Sequence, residues 1–389
     1  MKLRNKNIAI IGAGFAGLAA ATLLARAGHR VTVHEKFAKP EAIGAGILIQ
    51  PTGLAAMRVL GIEDEILRHG AKVDWLWGVT PAGRTVIDIH YESWRAGAYG
   101  VGLHRGVLFN ALWQAATAAG AALVTGREIV VLKEIENAHD LTVIADGAHS
   151  LTRAQTGLKV RSRCYPWGAV WAVLPDPDRV YGRTLWQWYD RAEKMFGIMP
   201  TGLPPDNAMP VVSLFWSLHS ARYDAWRARG LDAWKDEVLK LNPKAHDLVA
   251  QISAIGQLTW ARYYDVVMPK YHTERVVVIG DAAHATSPQL GQGTNLALMD
   301  AVALARSIEA ADSVADALAN YTAARKQHLH FYSQASRLLT PVFQSDQKLR
   351  PWLRDRLMAT TSRWPIARDI TRQTLVGVRQ GWFKGEIES

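Results

Sequence analysis

The sequence predicts an α/β protein: a three-layer core of βαβ units, an antiparallel sheet interleaved with it, and a helical C-terminal region. Three observations predict it. Residues 7–34 read as strand, glycine-rich turn, helix and strand. A second strand, glycine-rich loop and helix follow from Arg275 to Ile308. Between them, residues 161–265 carry β-patterned runs rich in tryptophan. The chain has 389 residues, of which 49% are hydrophobic and 21% charged. That composition buries a substantial core, and at roughly 150 residues per domain the length gives two to three domains or one large one.

A single cysteine, Cys164, excludes an intrachain disulfide framework and a Cys-rich zinc module. A reducing compartment, the cytoplasm, is the simplest home. Lys+Arg 45 against Asp+Glu 35 gives a net charge of +10. The charge is spread along the chain without a basic run of five, so no stripe for nucleic acid is expected. An acidic membrane surface and anionic small ligands remain compatible with it.

The N-terminus sets a trap. Lys2, Arg4 and Lys6 precede the apolar stretch Ile8–Ala25, which resembles a signal peptide or membrane span in outline. The spacing of Gly12, Gly14 and Gly17 gives another reading. Asn7–Ile11 is a short buried strand, Gly12–Gly17 a tight turn, Leu18–Ala27 a helix stopped by Gly28, and Arg30–His34 a second strand. No integral membrane segment is expected.

Gly12-Ala13-Gly14-Phe15-Ala16-Gly17 is G-x-G-x-x-G. The first glycine permits the turn, the second lets backbone approach a pyrophosphate, and the third lets the helix pack close to the sheet. N–H groups at the helix start then face phosphate. Glu35 ends the second strand, where a carboxylate accepts from ribose hydroxyls and repels a 2′-phosphate. This motif alone leaves NAD and FAD both open.

The second junction narrows the choice. Val276–Ile279 is a buried strand running into Gly280-Asp281, followed by Pro288, Gly291, Gly293, Asn295 and a helix from Leu296 to Ile308. One extended ligand touching both junctions explains the pair. These residues resemble the single-component FAD-dependent aromatic hydroxylases, the salicylate and para-hydroxybenzoate hydroxylase type. Three segments carry the resemblance, over roughly residues 5–330: the glycine fingerprint with Glu35, Asp146-Gly147 through Arg153, and Gly280-Asp281 through Asn295.

The resemblance implies a Rossmann-like FAD-binding domain and assigns cofactor contacts residue by residue. Gly12, Gly14, Phe15, Ala16 and Gly17 cradle the diphosphate, with Glu35 and Lys36 at the adenosine ribose. Arg105 lies near the diphosphate, Asp281 at the ribityl or diphosphate portion, and Asp146 near FAD. Pro288, Gly291, Gly293, Thr294 and Asn295 line the flavin ring. It further implies that NADH or NADPH visits transiently, that dioxygen adds to the reduced flavin, and that the hydroperoxide hydroxylates an aromatic or heteroaromatic substrate. His149 and His284 read as braces for their loops.

The same reading divides the chain. Residues 1–75, 95–160 and 266–330 form a discontinuous FAD-binding domain, 76–94 and 161–265 a substrate domain, and 331–389 a C-terminal helical segment. Arg84–Ile89 belongs to a hairpin. Gly168–Val173, Thr184–Tyr189 and Val211–Trp216 are strands, and helices are expected at His219–Arg229 and Leu231–Leu241. Pairs such as Trp75/Trp77 and Trp186/Trp188 place two indoles on one strand face. Trp186, Trp188 and Trp216 are the candidates for a flat substrate pocket, domain-interface core being the alternative. Pro341, Pro351 and Pro365 are expected to break the tail into short helices that pack on the FAD domain or on a dimer partner. Monomer and homodimer both remain open.

No metal-ligand cluster and no nucleophile motif is present, so the cofactor carries the chemistry. No catalytic residue is assigned; Tyr263, His219 and Arg183 qualify as substrate-side groups by type alone. A flavin-dependent halogenase and a non-catalytic FAD-binding protein are the competing functions.

Overall fold

Three sheets organise the chain in the computed structural model, which describes residues 3–41, 46–361, 364–382 and 384–387. The first is wholly parallel, in the order Val276–Val278, Leu141–Ile144, Asn7–Ile11, Arg30–His34 and Ala122–Val124. Its strands are short apolar runs because a parallel sheet is covered on both faces. Ile8, Ile10, Val143 and Val277 are fully buried. The helix Phe15–Arg26 packs against both Arg105–Ala118 and Gly293–Ala310. It starts at Phe15 rather than Leu18, so the second half of the glycine motif is already helical. Likewise Gly293–Ala310 starts three residues before the predicted Leu296.

The second sheet has seven strands: Thr259–Val267, Arg161–Pro175, Val211–His219, Lys194–Gly202, Thr184–Asp190, Trp75–Val79 and Thr85–His90. All neighbours are antiparallel except Thr184–Asp190 with Trp75–Val79, which run parallel. One face is covered by the element Tyr223–Leu241, whose Trp226 and Trp234 pack with Val170, Ile198, Leu214 and Trp216. Gly230 (φ +85°) divides that element into two helical runs. The first was expected from His219, but Ser220–Arg222 is a 3-10 turn. The opposite face carries Met199, Phe215 and Trp171 toward Leu48, Phe343 and Val376.

The third sheet was not foreseen. Gly46–Ile49, Gly100–His104 and Ala71–Val73 pair antiparallel. These strands are short and glycine-bearing, so their β-pattern is weak. The glycines have a packing reason: a Cβ on Gly102 would run into the Pro200 carbonyl of the larger sheet. Gly46 N–H donates to Ser213 Oγ (2.7 Å), which ties the small sheet to the inner face of the large one.

The tail is helical as expected, with one correction. Pro341 does not break its helix, which runs Val314–Phe343. It lies in the last turn, where the bond its missing N–H would make to the Arg337 carbonyl is lost just before the helix ends. Pro351 and Pro365 stand in the first turns of Leu349–Thr361 and Pro365–Val376, positions whose N–H has no intrahelical acceptor in any case. Among the described residues no helix is long and apolar enough to cross a membrane.

Candidate functional site

The two glycine-bearing turns, some 270 residues apart in sequence, meet at the C-terminal ends of parallel strands separated only by Leu141–Ile144. An added Cβ on Gly280 would stand 2.8 Å from Ala16 Cβ. Ile279 N–H donates to Ile144 O (2.9 Å), and Ala145 N–H to Ile11 O (2.8 Å), so the three strand ends are stitched in one row. This is the crevice at which open α/β sheets bind ligands. Gly12 takes φ +102°, and a Cβ there would stand 2.8 Å from Asp146 Cα. Gly17 has no room for a side chain against the Gly12 carbonyl. Gly14 differs, since a Cβ there meets only Ala145 O at 3.9 Å. The space above it is open, as a phosphate cradle requires.

Polar side chains brace this crevice. Glu35 accepts from Ala13 N–H (2.9 Å) with one oxygen and from Phe37 N–H (3.0 Å) with the other, so it fixes the turn while keeping further lone pairs. Lys36 is exposed and stacks over Phe37, 5.0 Å from the ring centroid. Asp146 accepts from Thr152 Oγ1 (2.8 Å), and its other oxygen is buried without a partner. Burial pushes its pKa up. Arg153, buried, donates to Ala282 O (2.6 Å) and Ala148 O (3.2 Å). It clamps the Asp146 loop to the second glycine junction.

Arg105 heads its helix half-buried, 5.2 Å from the Phe15 ring centroid. It makes no ion pair among the described residues, and its Nε has no hydrogen-bond partner. Burial lowers its pKa, against the opposing influence of Asp281 and Tyr263. Asp281 is exposed, with Oδ1 3.8 Å from the position of a Cβ on Gly293. Pro288 opens a 3-10 turn that ends at Gly291, and Gly293, Thr294 and Asn295 form the first turn of the next helix. The N–H groups of such a turn have no intrahelical acceptor.

The Asn295 side chain is taken up within the protein. It is fully buried and committed: Oδ1 accepts from Gln50 N–H (2.9 Å), and Nδ2 donates to Gly291 O (2.9 Å) and Leu48 O (3.2 Å). Only its backbone N–H remains for a ligand. Asp300, not singled out from the sequence, anchors the same region. It accepts from Gly280 N–H (2.9 Å), contacts His284 Nε2 (2.5 Å), and accepts from Arg325 Nε (2.8 Å). Burial opposes its ionisation, but His284 and Arg325 outweigh that and hold its pKa well below the usual carboxylate range. His284 is therefore a brace, as expected. An acid inside an apolar helix, seven residues after Gly293, was the available signal.

The tryptophan candidates fall on the face covered by Tyr223–Leu241. Trp216 is 2% exposed and packs with Trp226 and Trp234. Trp186 and Trp188 stack on one another (6.2 Å between centroids) against the same cluster. Strand alternation correctly put Trp186 and Trp188 together, but it does not say which face meets the glycine turns. The inner face instead holds Trp171, whose Nε1 donates to Tyr263 Oη (3.0 Å). Tyr263 feels the charge of Arg105, and burial pushes its phenol up to about 12. Arg183 pairs at the surface with Asp74, and His219 accepts from Ala221 N–H beside Asp346.

A parallel sheet with two glycine turns at its strand ends, an open cradle and an unpaired arginine defines a dinucleotide-cofactor enzyme. The chain belongs to the FAD binding domain family, whose profile matches residues 5–335. It is 27% identical to a probable 2-heptyl-3-hydroxy-4(1H)-quinolone synthase of Rhodococcus erythropolis, over 82% of this chain and 84% of the relative. It is 28% identical to the 6-hydroxynicotinate 3-monooxygenase of Pseudomonas fluorescens, over 79% and 83%. The solved structure of 2-methyl-3-hydroxypyridine-5-carboxylic acid oxygenase shares the fold, with TM-score 0.78, 22% identity, and 98% and 100% of the two chains covered. The protein is an FAD-dependent aromatic monooxygenase, with NAD(P)H as the reductant typical of the family. The halogenase alternative is not favoured.

Proposed function

We propose that the enzyme hydroxylates an uncharged, carbonyl-bearing nitrogen heteroaromatic ring of the 4(1H)-quinolone class. The observation that carries this reading is the Trp171–Tyr263 pair on the inner sheet face. An indole N–H only donates, so the Tyr263 oxygen is committed as acceptor (3.0 Å) and its own proton remains to be given. A phenol raised to about 12 stays protonated at neutral pH, and a ring carbonyl is the acceptor it suits. Where Arg161–Pro175, Lys194–Gly202 and Val211–His219 pair with one another, the inward positions include Trp171, Met199, Ser213 and Phe215 and no lysine or arginine. A carboxylate would find no cation on those three strands, and Arg105, whose charge Tyr263 feels, is taken by the cofactor phosphate in this reading. The quinolone-forming relative supports the same class.

FAD, when bound, supplies the oxygen-activating chemistry that no side chain has. In this reading Gly14 admits the diphosphate, Glu35 accepts from ribose, and Arg105 balances phosphate charge. Asp281 accepts from the ribityl chain, and the first-turn N–H groups of Gly293–Asn295 face the ring edge. Asp146 and Arg153 hold the loop between them. Trp171 orients Tyr263, Tyr263 orients the substrate, and the apolar inner face excludes water from the reaction. We take residues 1–75, 95–160 and 266–330 as the cofactor unit, with 76–94 and 161–265 as the substrate unit and 331–389 as the helical tail. We also take the enzyme to work in the cytoplasm as a monomer or homodimer.

The test is oxygen uptake and NADH or NADPH oxidation by the FAD-loaded enzyme, screened over 2-alkyl-4(1H)-quinolones, 6-hydroxynicotinate and salicylate. The quinolones should stimulate both, with one oxygen atom from labelled dioxygen in the product. Stimulation by the carboxylates alone would overturn the substrate class.

A further inference from the structure

The helix Pro365–Val376 ends against the flavin-side loop, and its last carbonyls are capped from outside. Five consecutive carbonyls are held by four side chains. Tyr332 Oη donates to Gln373 O (3.3 Å) and Thr374 O (3.1 Å). Gln292 Nε2 donates to Thr374 O (3.3 Å) and Leu375 O (2.5 Å). Thr52 Oγ1 donates to Val376 O (3.1 Å), and His328 Nε2 to Gly377 O (2.8 Å). The tautomer of His328 is fixed from behind, because Arg325 Nη1 points at Nδ1 (2.7 Å) and a guanidinium only donates. Burial, then Arg325, lowers His328 to about 3, so it is neutral and donates from Nε2.

A helix C-terminus leaves its last carbonyls without partners, and here they become the docking surface. Gly377 takes φ +91°, and a Cβ there would collide with Thr52 Oγ1 and stand 3.0 Å from Gln292 Oε1. The segment therefore fits at backbone contact. Gln292 is the centre of this arrangement. It lies between Gly291 and Gly293 and is 2% exposed. It occupies the N-cap position of Gly293–Ala310 without using its side chain as the cap. The side chain turns instead toward the last helix.

We propose that Gln292 is a positioning residue: by gripping the C-terminus of Pro365–Val376, it fixes the Gly291–Gly293 turn in the form that receives the flavin ring. The idea rests on the assignment of FAD to this crevice. The tail is then part of the cofactor site through its backbone carbonyls. The negative end of one helix is also held beside the positive start of another, so the strap bears on the electrostatics of the flavin environment as well as on the loop's geometry.

The test compares full-length wild type with Gln292→Leu, Gln292→Glu and Thr52→Val. FAD binding to the apoprotein is followed by flavin fluorescence, together with the visible spectrum of bound flavin and the melting of the apoprotein. Gln292→Leu removes two donated bonds and should weaken FAD binding by about tenfold, with a shifted flavin spectrum. Gln292→Glu, of the same shape but facing carbonyls with acceptors, should be weaker still. Thr52→Val, on a different element, should act in the same direction by about threefold, and it carries the test if the Gln292 variants do not fold. Wild-type FAD affinity and spectrum in every folded variant, even with lower apoprotein melting, would reduce the strap to plain structure and overturn the proposal. A wild-type protein that takes up no FAD would instead refute the cofactor assignment itself.

Discussion

The two faces of the seven-stranded sheet are both aromatic, yet they are built to different rules. On the outer face Trp216, Trp186, Trp188 and Phe196 pack with Trp226 and Trp234; Trp186 Nε1 donates to Tyr181 O (3.2 Å), but the buried indole N–H groups of Trp226 and Trp234 have no hydrogen-bond partner. The inner face pairs its polar atoms. Trp171 donates to Tyr263, Ser213 Oγ accepts from Gly46 N–H, and Thr201 Oγ1 lies 2.8 Å from Ser213 Oγ. Aromatic density therefore marks the core of this protein. The proposed site instead has aromatic residues whose hydrogen bonds are organised, with one donor left over.

If the outer face is core, truncating its largest side chain should cost stability and little else. Trp216→Ala opens a cavity in a fully packed cluster, and the expected loss is about 3–5 kcal/mol, read from the denaturant midpoint at unchanged slope. The KM for the aromatic substrate should stay within about twofold among the molecules that remain folded, because no atom of Trp216 reaches the inner face. A large KM change at unchanged stability would return Trp216 to the pocket.

A smaller effect is expected where the inner face meets the third sheet. Ser213→Ala leaves the Gly46 N–H buried without its acceptor, at a cost of about 1–3 kcal/mol. It also frees the strand Gly46–Ile49, which is bonded to the loop at Asn295. The expected signature is mixed: a lower melting temperature and weaker FAD binding together. A purely thermal effect would mean that the small sheet does not transmit position from the large sheet to the cofactor loop.

Much of this was legible in the sequence, for identifiable reasons. Glycines that must admit a turn or a phosphate cannot be replaced by larger residues, so Gly12, Gly14, Gly17 and the Gly291–Gly293 loop announced themselves. The acids at strand ends did so too, and the structure brings Glu35 and Asp281 to one crevice. What stayed hidden depends on long-range pairing. Alternation gives two faces but not their neighbours, so it left the tryptophans open between pocket and core. The third sheet was missed because its strands are held by contacts with Pro200 and Ser213 rather than by their own β-pattern. Asp300, Arg325 and His328 are ordinary helix residues until the fold buries them together. The role of Gln292 exists only because a helix some 80 residues later ends beside it.

The smallest expected effect on stability, and the most telling for function, is at Tyr263. Removing its hydroxyl with Tyr263→Phe keeps the ring and its packing but leaves the half-buried Trp171 N–H without its acceptor, so the loss should be about 1 kcal/mol, the low end for a donor left unpaired. KM should rise by about tenfold or more, because a site arranged to donate to a ring oxygen discriminates through that bond. The Trp171 N–H loses its acceptor in the same variant, so the cycle must include Trp171→Phe and the double variant. Coupling in KM beyond the sum of the single effects would show that the indole orients the phenol. The pH dependence separates this role from that of a base. A phenol raised to about 12 keeps its proton throughout the neutral and mildly alkaline range, so its contribution to KM should be flat there. A KM that climbs between pH 7 and 9 and is flattened by Tyr263→Phe would mean that the group ionises in that range. The inner face would then supply a base to the substrate rather than a donor.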